Sequence, residues 1–329
     1  YQFHKLVNAV LRNVCRQKKQ LLNEFCNLSN LPVWILEDLK KNLTSIEINE
    51  VSRVIVKEPE LNLKIKKSHV KLKDWESIMN GKFIESDILL TNNSGKINDF
   101  PFFDNGFWWV QGFSSCLPVK CLDNLFPTSK RKEINVLDVC AAPGGKTAQL
   151  ADYGFRSLSV DISEHRIKQL KANLDRLNYK PEIICTDFLN YDSDQKFDAI
   201  LLDAPCSASG LIQKKPEILI ANKQIDLKKL VIEQRRLLEH SKNFIKKGGY
   251  IIYCVCSINN SEGYEQIKTF LKNNKNFSSV DHLDNIKKYG KIIFKNMLQI
   301  YPRRFKFSDN INGYLDGFFI SILKKERNN

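Results

Sequence analysis

The stretch INVLDVCAAPGGKT, from Ile134 to Thr147, constrains the fold of this chain more than any other. An apolar run breaks into two small residues, a proline and two glycines, and helical periodicity then resumes. The pattern predicts a strand, a tight turn and a helix. Glycines let the backbone approach a ligand closely, and the free N–H groups at the helix start favour polar or anionic groups. The segment therefore reads as the cradle of a nucleotide-like cofactor. It is not a P-loop, because no glycine lies five residues before Gly145, and it matches the dinucleotide fingerprint only loosely. The next predicted strand, SLSVDISEHR, places Asp161 sixteen residues past Gly145, where a second-strand carboxylate meets ribose hydroxyls in doubly wound folds. The competing reading is an ordinary buried strand, turn and helix.

Two more strand ends follow the same logic. PEIICTDFLN ends near Asp187, and FDAILLDAPCSASG ends at Asp203, Pro205 and Cys206. Open sheets of this kind bind ligands at the carboxyl ends of their strands. A fourth apolar run, YIIYCVCS, begins after Gly248-Gly249 and delivers Cys256 and Ser257 to the same edge. Two cysteines fifty positions apart are thus expected to converge on one cleft. Free cysteine is also a common small core residue, and Cys15, Cys26, Cys116, Cys121 and Cys185 read as core or incidental. Cys254 is expected to be structural. The nine cysteines include no C-x-x-C pair and no matching histidine spacing, so a metal site is not expected. With no signal-peptide pattern and no apolar run near twenty residues, the expectation is a cytoplasmic chain with reduced thiols and no membrane contact.

At 329 residues and 43% apolar content the chain is long enough for two or three domains with a normal core. Its formal charge of +14 favours a polyanionic partner, although lysine is abundant throughout.

LDVCAAPGGKT, LLDAPCSASG, IEQRRLLEHSKNFIKKGG, YCVCS and LDGFFIS occur in the order seen in the Sun/Fmu family of RNA cytosine-5 methyltransferases, which this chain resembles. The similarity is to the RsmB-like branch that modifies small-subunit ribosomal RNA, and it extends more weakly through LPVWILEDL, PELNLKIKKSHV and WVQGFSSCLP. It implies S-adenosylmethionine as methyl donor, held by Cys140, Ala141, Ala142, Pro143, Gly144, Gly145 and Lys146, with Asp161 on the ribose, Asp187 near the adenine and Asp203 shared with the base. It implies Cys256 as the thiolate that adds to cytosine C6 and Cys206 as the cysteine needed for product release. Bottom-up chemistry agrees, since C5 is a poor nucleophile until something adds to C6, and a thiolate can do so. The expected partner is RNA, bound by a monomer.

The resemblance also implies an α/β fold: a Rossmann-like class I methyltransferase sheet over 106–329, a small α+β RNA-binding domain over 29–105, and the end of a helical NusB-like domain over 1–28. Leu6, Val7, Val10, Leu11 and Val14 share one helical face that needs a partner. Lys64, Lys66, Lys67, Lys71 and Lys73 form a basic stretch, read either as an RNA contact or as a solvated face. Trp108 and Trp109 are expected to pack the joint between domains. A long helix is expected from Leu227 to Lys247, stopped by Gly248, and an antiparallel last strand near 317–323. Two departures from the family stand out: Gly112 where an acidic residue usually follows the glutamine, and Lys214 and Lys215 in place of an arginine- and histidine-rich pattern. Lysine keeps the charge there but lacks the planar fork for bidentate phosphate contacts. Other readings are a DNA cytosine-5 enzyme with its nucleophile at Cys206, a catalytically silent RNA-binding or ribosome-assembly protein, and a small-molecule methyltransferase.

Overall fold

The computed structural model of the chain describes residues 3–25, 31–219 and 226–327; Cys26 lies outside them. Helices α1 (His4–Arg16) and α2 (Lys18–Phe25) come first. The predicted apolar face of α1 forms, but its residues Leu6, Val7, Val10, Leu11 and Val14 are all exposed. Helix α3 (Val33–Leu39) precedes α4 (Ser45–Val54), which starts at a capping box between Thr44 and Glu47. Apolar residues of this pair, among them Ile35, Leu39 and Val51, share a core with Ile212, Ile258 and Tyr301 from the far end of the chain.

A four-stranded antiparallel sheet follows, built from β1 (Leu61–Ile65), helix α5 (Trp75–Ile78), β2 (Gly81–Glu85), β3 (Ile88–Thr91) and β4 (Trp108–Val110), in the order β2-β3-β1-β4. Strand β4, which follows residue 105, pairs with β1 of the small sheet. Both tryptophans pack: Trp108 fills the core of the small sheet, and Trp109 clusters with Ala141, Ala142 and Leu170 of the large unit. The basic stretch does something neither sequence reading foresaw. Lys64 is fully buried in an ion pair with Asp87, beside the Tyr153 hydroxyl at 3.4 Å. Lys66 donates to the Leu177 carbonyl, and the Lys67 amine lies 3.2 Å from the centre of the Tyr153 ring. Lys64 and Lys66 are buried, and buried amines need such partners; Tyr153 and Leu177 tie the small sheet to the large unit. Only Lys71 and Lys73 of the five lack such ties to the large unit among the described residues, and both are exposed.

The large unit runs α6 (Phe113–Leu125), β5 (Asn135–Val139), α7 (Gly145–Asp152), β6 (Arg156–Asp161), α8 (Glu164–Arg176), β7 (Glu182–Cys185), β8 (Phe197–Asp203), α9 (Leu227–Ser241), β9 (Ile245–Val255), α10 (Tyr264–Asn273), β10 (Phe277–Ser279), β11 (Lys291–Ile292), β12 (Met297–Ile300), the hairpin β13 (Arg303–Ser308) and β14 (Ile311–Leu315), and β15 (Phe318–Lys325). Strands β7-β6-β5-β8-β9 are parallel, which is the doubly wound arrangement that the alternation of strand and helix predicts. As expected, the last strand is antiparallel: β15 inserts between β9 and β12. The long helix, however, ends at Ser241, not Lys247. Phe244 accepts a hydrogen bond from the Phe197 N–H, and Ile245 pairs with Phe197. Sheet pairing at the edge of β8 outcompetes helical periodicity here, and Gly248 at φ 79° lies inside β9 instead of stopping a helix.

Candidate active site

The carboxyl ends of β5, β6, β7, β8 and β9 bring Cys140, Asp161, Asp187, Asp203 and Cys256 around one cavity of about 920 Å³, which Cys206 also lines. The turn after β5 sets the wall of this cavity. Gly144 takes a left-handed φ of 102° that favours glycine, and a Cβ there would come within 3.1 Å of Leu170. Cys140 also has a positive φ of 60°, and the Ala142–Pro143 bond is cis. Behind the turn, Asp138 is fully buried and accepts a hydrogen bond from Thr147 Oγ1 at 2.6 Å. Burial pushes the Asp138 carboxyl up to about 7, against the opposing pull of the Thr147 bond.

Asp161 braces the turn as well as facing the cavity. Its Oδ2 accepts the Ala142 N–H and its Oδ1 the Ser163 N–H, both at 3.0 Å. Arg166 stands 3.6 Å from the same carboxylate and donates to the Ala142 carbonyl. The turn residues divide between two spaces. Cys140 and Pro143 face the cavity with the thiols, whereas Ala141, Ala142, Gly144, Gly145 and Lys146 face a second cavity of about 640 Å³ beside the small sheet. Pro143 and Asp203 line both.

The two cysteines meet. Cys206 Sγ and Cys256 Sγ are 3.3 Å apart. The hydrogen bond to Cys256 raises the Cys206 thiol well above its ordinary value, and burial and the neighbouring charges of Cys256 and Glu262 add to this. The backbone closes around them: the Gly210 N–H donates to the Cys256 carbonyl and the Ala204 N–H to the Cys254 carbonyl, each at 3.0 Å. Cys254 is buried, as expected of a structural residue, yet its thiol also reaches Asp203 Oδ1 at 3.5 Å. Cys116 and Cys121 are core residues, and Cys15 and Cys185 are exposed. No group of three or more histidine, cysteine, aspartate or glutamate side chains suited to a metal occurs among the described residues.

Sequence reasoning placed Lys146 only in the cofactor turn. Its amine is 2.7 Å from Asp203 Oδ2, and although burial lowers its affinity for a proton, the Asp203 charge outweighs this and raises it above the ordinary value. Nothing in the local pattern announces that pairing across fifty-seven positions. At Gly112, the place of the missing acid is filled from elsewhere: a Cβ there would lie 2.9 Å from Asp316 Oδ2 and 3.1 Å from Lys214 Nζ, which form an ion pair at 2.6 Å. Lys215, Lys229 and Arg236 rim the thiol cavity, and among the described residues none of the three is in a salt bridge.

The family model described as 16S rRNA methyltransferase RsmB/F matches residues 126–324. Ribosomal RNA small subunit methyltransferase B of Photorhabdus laumondii is 32% identical over 288 residues, which cover 82% of this chain and 65% of that protein. The protein of the same name from Shewanella oneidensis is 33% identical over 279 residues, 81% of this chain and 64% of its own length. The chain thus spans a little under two thirds of these relatives. In fold it is similar to NSun6 from Pyrococcus horikoshii solved with SFG, with a TM-score of 0.71 at 17% identity over 92% of this chain and 100% of that one.

Proposed function

Since the chain belongs to the 16S rRNA methyltransferase RsmB/F family, we propose that it transfers a methyl group from S-adenosylmethionine to C5 of a cytosine in small-subunit ribosomal RNA, with Cys256 forming a transient bond to the base. One observation carries the proposal: two thiols 3.3 Å apart on the wall of a cavity that also holds three strand-end carboxylates. Methylation of a nitrogen or oxygen needs no thiol pair. Cytosine C5 does need one sulfur, to add at C6 and break the aromaticity of the ring.

The residues fit the methyl donor. Asp161 ends the second strand, the usual place for a ribose contact; Asp187 lies two residues past the third, and Cys140 and Pro143 also line the cavity. Bound there, S-adenosylmethionine supplies an electrophilic methyl group. Everything else falls to the chain. Cys256 Sγ bonds to C6, and the C5=C6 electron pair moves to C5. Asp203 accepts the amino N–H at the edge of the base, and the Lys146 ammonium beside it offsets the negative charge that develops. Once C5 carries the methyl group, its proton leaves to water or another base, the C–H electrons re-form C5=C6, and Cys256 departs as thiolate. The Cys206 thiol, held protonated, donates a hydrogen bond to that departing sulfur. Lys215, Lys229 and Arg236 at the rim suit RNA phosphates, and a ribosomal substrate implies the cytoplasm.

The test is methyl transfer to a small-subunit ribosomal RNA transcript, located by bisulfite sequencing. Cys256→Ala is expected to abolish transfer while calorimetric binding of S-adenosylmethionine stays near normal. Near-normal turnover by a folded Cys256→Ala protein would overturn the assignment of the nucleophile, and a label at any atom other than C5 would overturn the reaction.

A further inference from the structure

Glu262 is fully buried, does not line the thiol cavity, and takes no part in the chemistry above. It lies six residues past Cys256, between β9 and α10. Its Oε2 accepts the Ser207 hydroxyl at 2.6 Å and the Ser257 hydroxyl at 2.5 Å. Its Oε1 accepts the Ser207 N–H at 2.8 Å and the Gln234 amide at 3.1 Å. Ser207 directly follows Cys206, and Ser257 directly follows Cys256. One carboxylate therefore grips the residue after each thiol. The grip is itself anchored: Tyr253 of β9 donates its hydroxyl to the Glu262 carbonyl at 2.6 Å, and Gln234 of α9 also donates to the Pro205 carbonyl at 2.9 Å.

A buried carboxylate is costly unless its oxygens are satisfied, and the four donors here offset that cost. We propose that Glu262 is the positioning residue of the thiol pair, one anchor that holds the Cys206 and Cys256 loops at fixed separation while one sulfur makes and breaks its bond to the base. This rests on the two-cysteine reading above. Pairing of β8 with β9 ends at Asp203 and Cys254 and pairing of β15 with β9 at Val255, so both cysteines lie beyond the paired residues, where, among the described residues, a single backbone bond, from the Gly210 N–H to the Cys256 carbonyl, links their segments. The carboxylate adds side-chain ties to the residue after each cysteine. Its negative charge also adds to the hydrogen bond, burial and Cys256 charge that keep Cys206 protonated, so geometry and proton inventory of the pair depend on the same group.

The test uses the full chain and two readouts. The first is iodoacetamide alkylation of Cys206 and Cys256 followed by mass spectrometry across pH, without RNA. The second is the single-turnover rate of covalent adduct formation with small-subunit ribosomal RNA. Glu262→Gln keeps the shape and removes the charge, so alkylation of Cys206 is expected to move to lower pH. The adduct rate is expected to fall about tenfold or more, the scale for misplacing a reacting group, with the KM for S-adenosylmethionine unchanged. Ser257→Ala, which removes one hydroxyl anchor and keeps the charge, is expected to slow the adduct without moving the Cys206 profile, and it carries the test should Glu262→Gln fail to fold. A folded Glu262→Gln protein with the parent profile and rate, or Ser257→Ala at the parent rate, overturns the proposal. If the parent makes no adduct at all, the cytosine-methylation reading fails; a shifted Cys206 profile in Glu262→Gln would then still support the anchor, and an unshifted one would overturn it too.

Discussion

Two thiols stand 3.3 Å apart, and the hydrogen bond between them, burial and nearby negative charge raise the Cys206 thiol above its ordinary value. In the reaction proposed above, attack falls to Cys256 and release to Cys206. Cys206→Ala is accordingly expected to attack RNA and then stall. The stalled adduct should appear as a protein band shifted by RNA on a denaturing gel and vanish in the Cys206→Ala, Cys256→Ala double variant. Normal turnover by the single variant, or an adduct that survives loss of Cys256, would reverse these roles. The identity of both cysteines was legible from their motifs. Their company was not: Lys146 and Cys254 both reach Asp203, and Glu262 reaches the Cys206 loop, through contacts spanning tens of positions that carry no local periodicity.

At the scale of elements, β6 shows how one side chain serves two ends. Asp161 was expected to meet a ribose, and it also fixes the turn after β5 through the Ala142 N–H. Asp161→Asn keeps the volume but weakens both contacts, and it is expected to lower S-adenosylmethionine affinity by about 1–3 kcal/mol, the range for hydrogen bonds to a charged group. Isothermal calorimetry would check this; unchanged cofactor affinity with reduced RNA affinity would contradict it. Helix α9 shows the limit of periodicity. Phe244 and Ile245 continue its apolar stripe, yet they belong to the approach to β9 because Phe197 offers them a pairing edge. An apolar residue satisfies either pattern, and only the neighbouring strand chooses between them.

Across the whole molecule, the small sheet is joined to the large unit through charges that look like an RNA surface in the sequence. Lys64 reaches Asp87 and Tyr153, and Lys66 reaches Leu177, all without exposure. Removing one member of a buried pair strands the other, so Lys64→Ala is expected to cost about 3–5 kcal/mol of stability. Urea denaturation would measure it. A loss below about 1 kcal/mol, the scale of an exposed pair, would show that the buried pair and its contact with Tyr153 contribute little to the fold.

The motif around Gly144 and Gly145, the acids that end successive strands and the two Pro-Cys and Cys-Ser segments determined the doubly wound fold and the cysteine pair, because each is written in residues adjacent in the chain. The antiparallel last strand was implied by family resemblance, since an apolar strand buried on both faces carries no mark of direction. What only the tertiary structure decided is which charges are buried. Whether Lys64 faces water or Asp87, whether Lys146 lies in the cofactor turn alone or against Asp203, and whether Glu262 is a surface acid or a shared anchor depend on what packs opposite. A lone charged residue in sequence reads as solvated by default, because leaving water is unfavourable until a partner from a distant segment arrives.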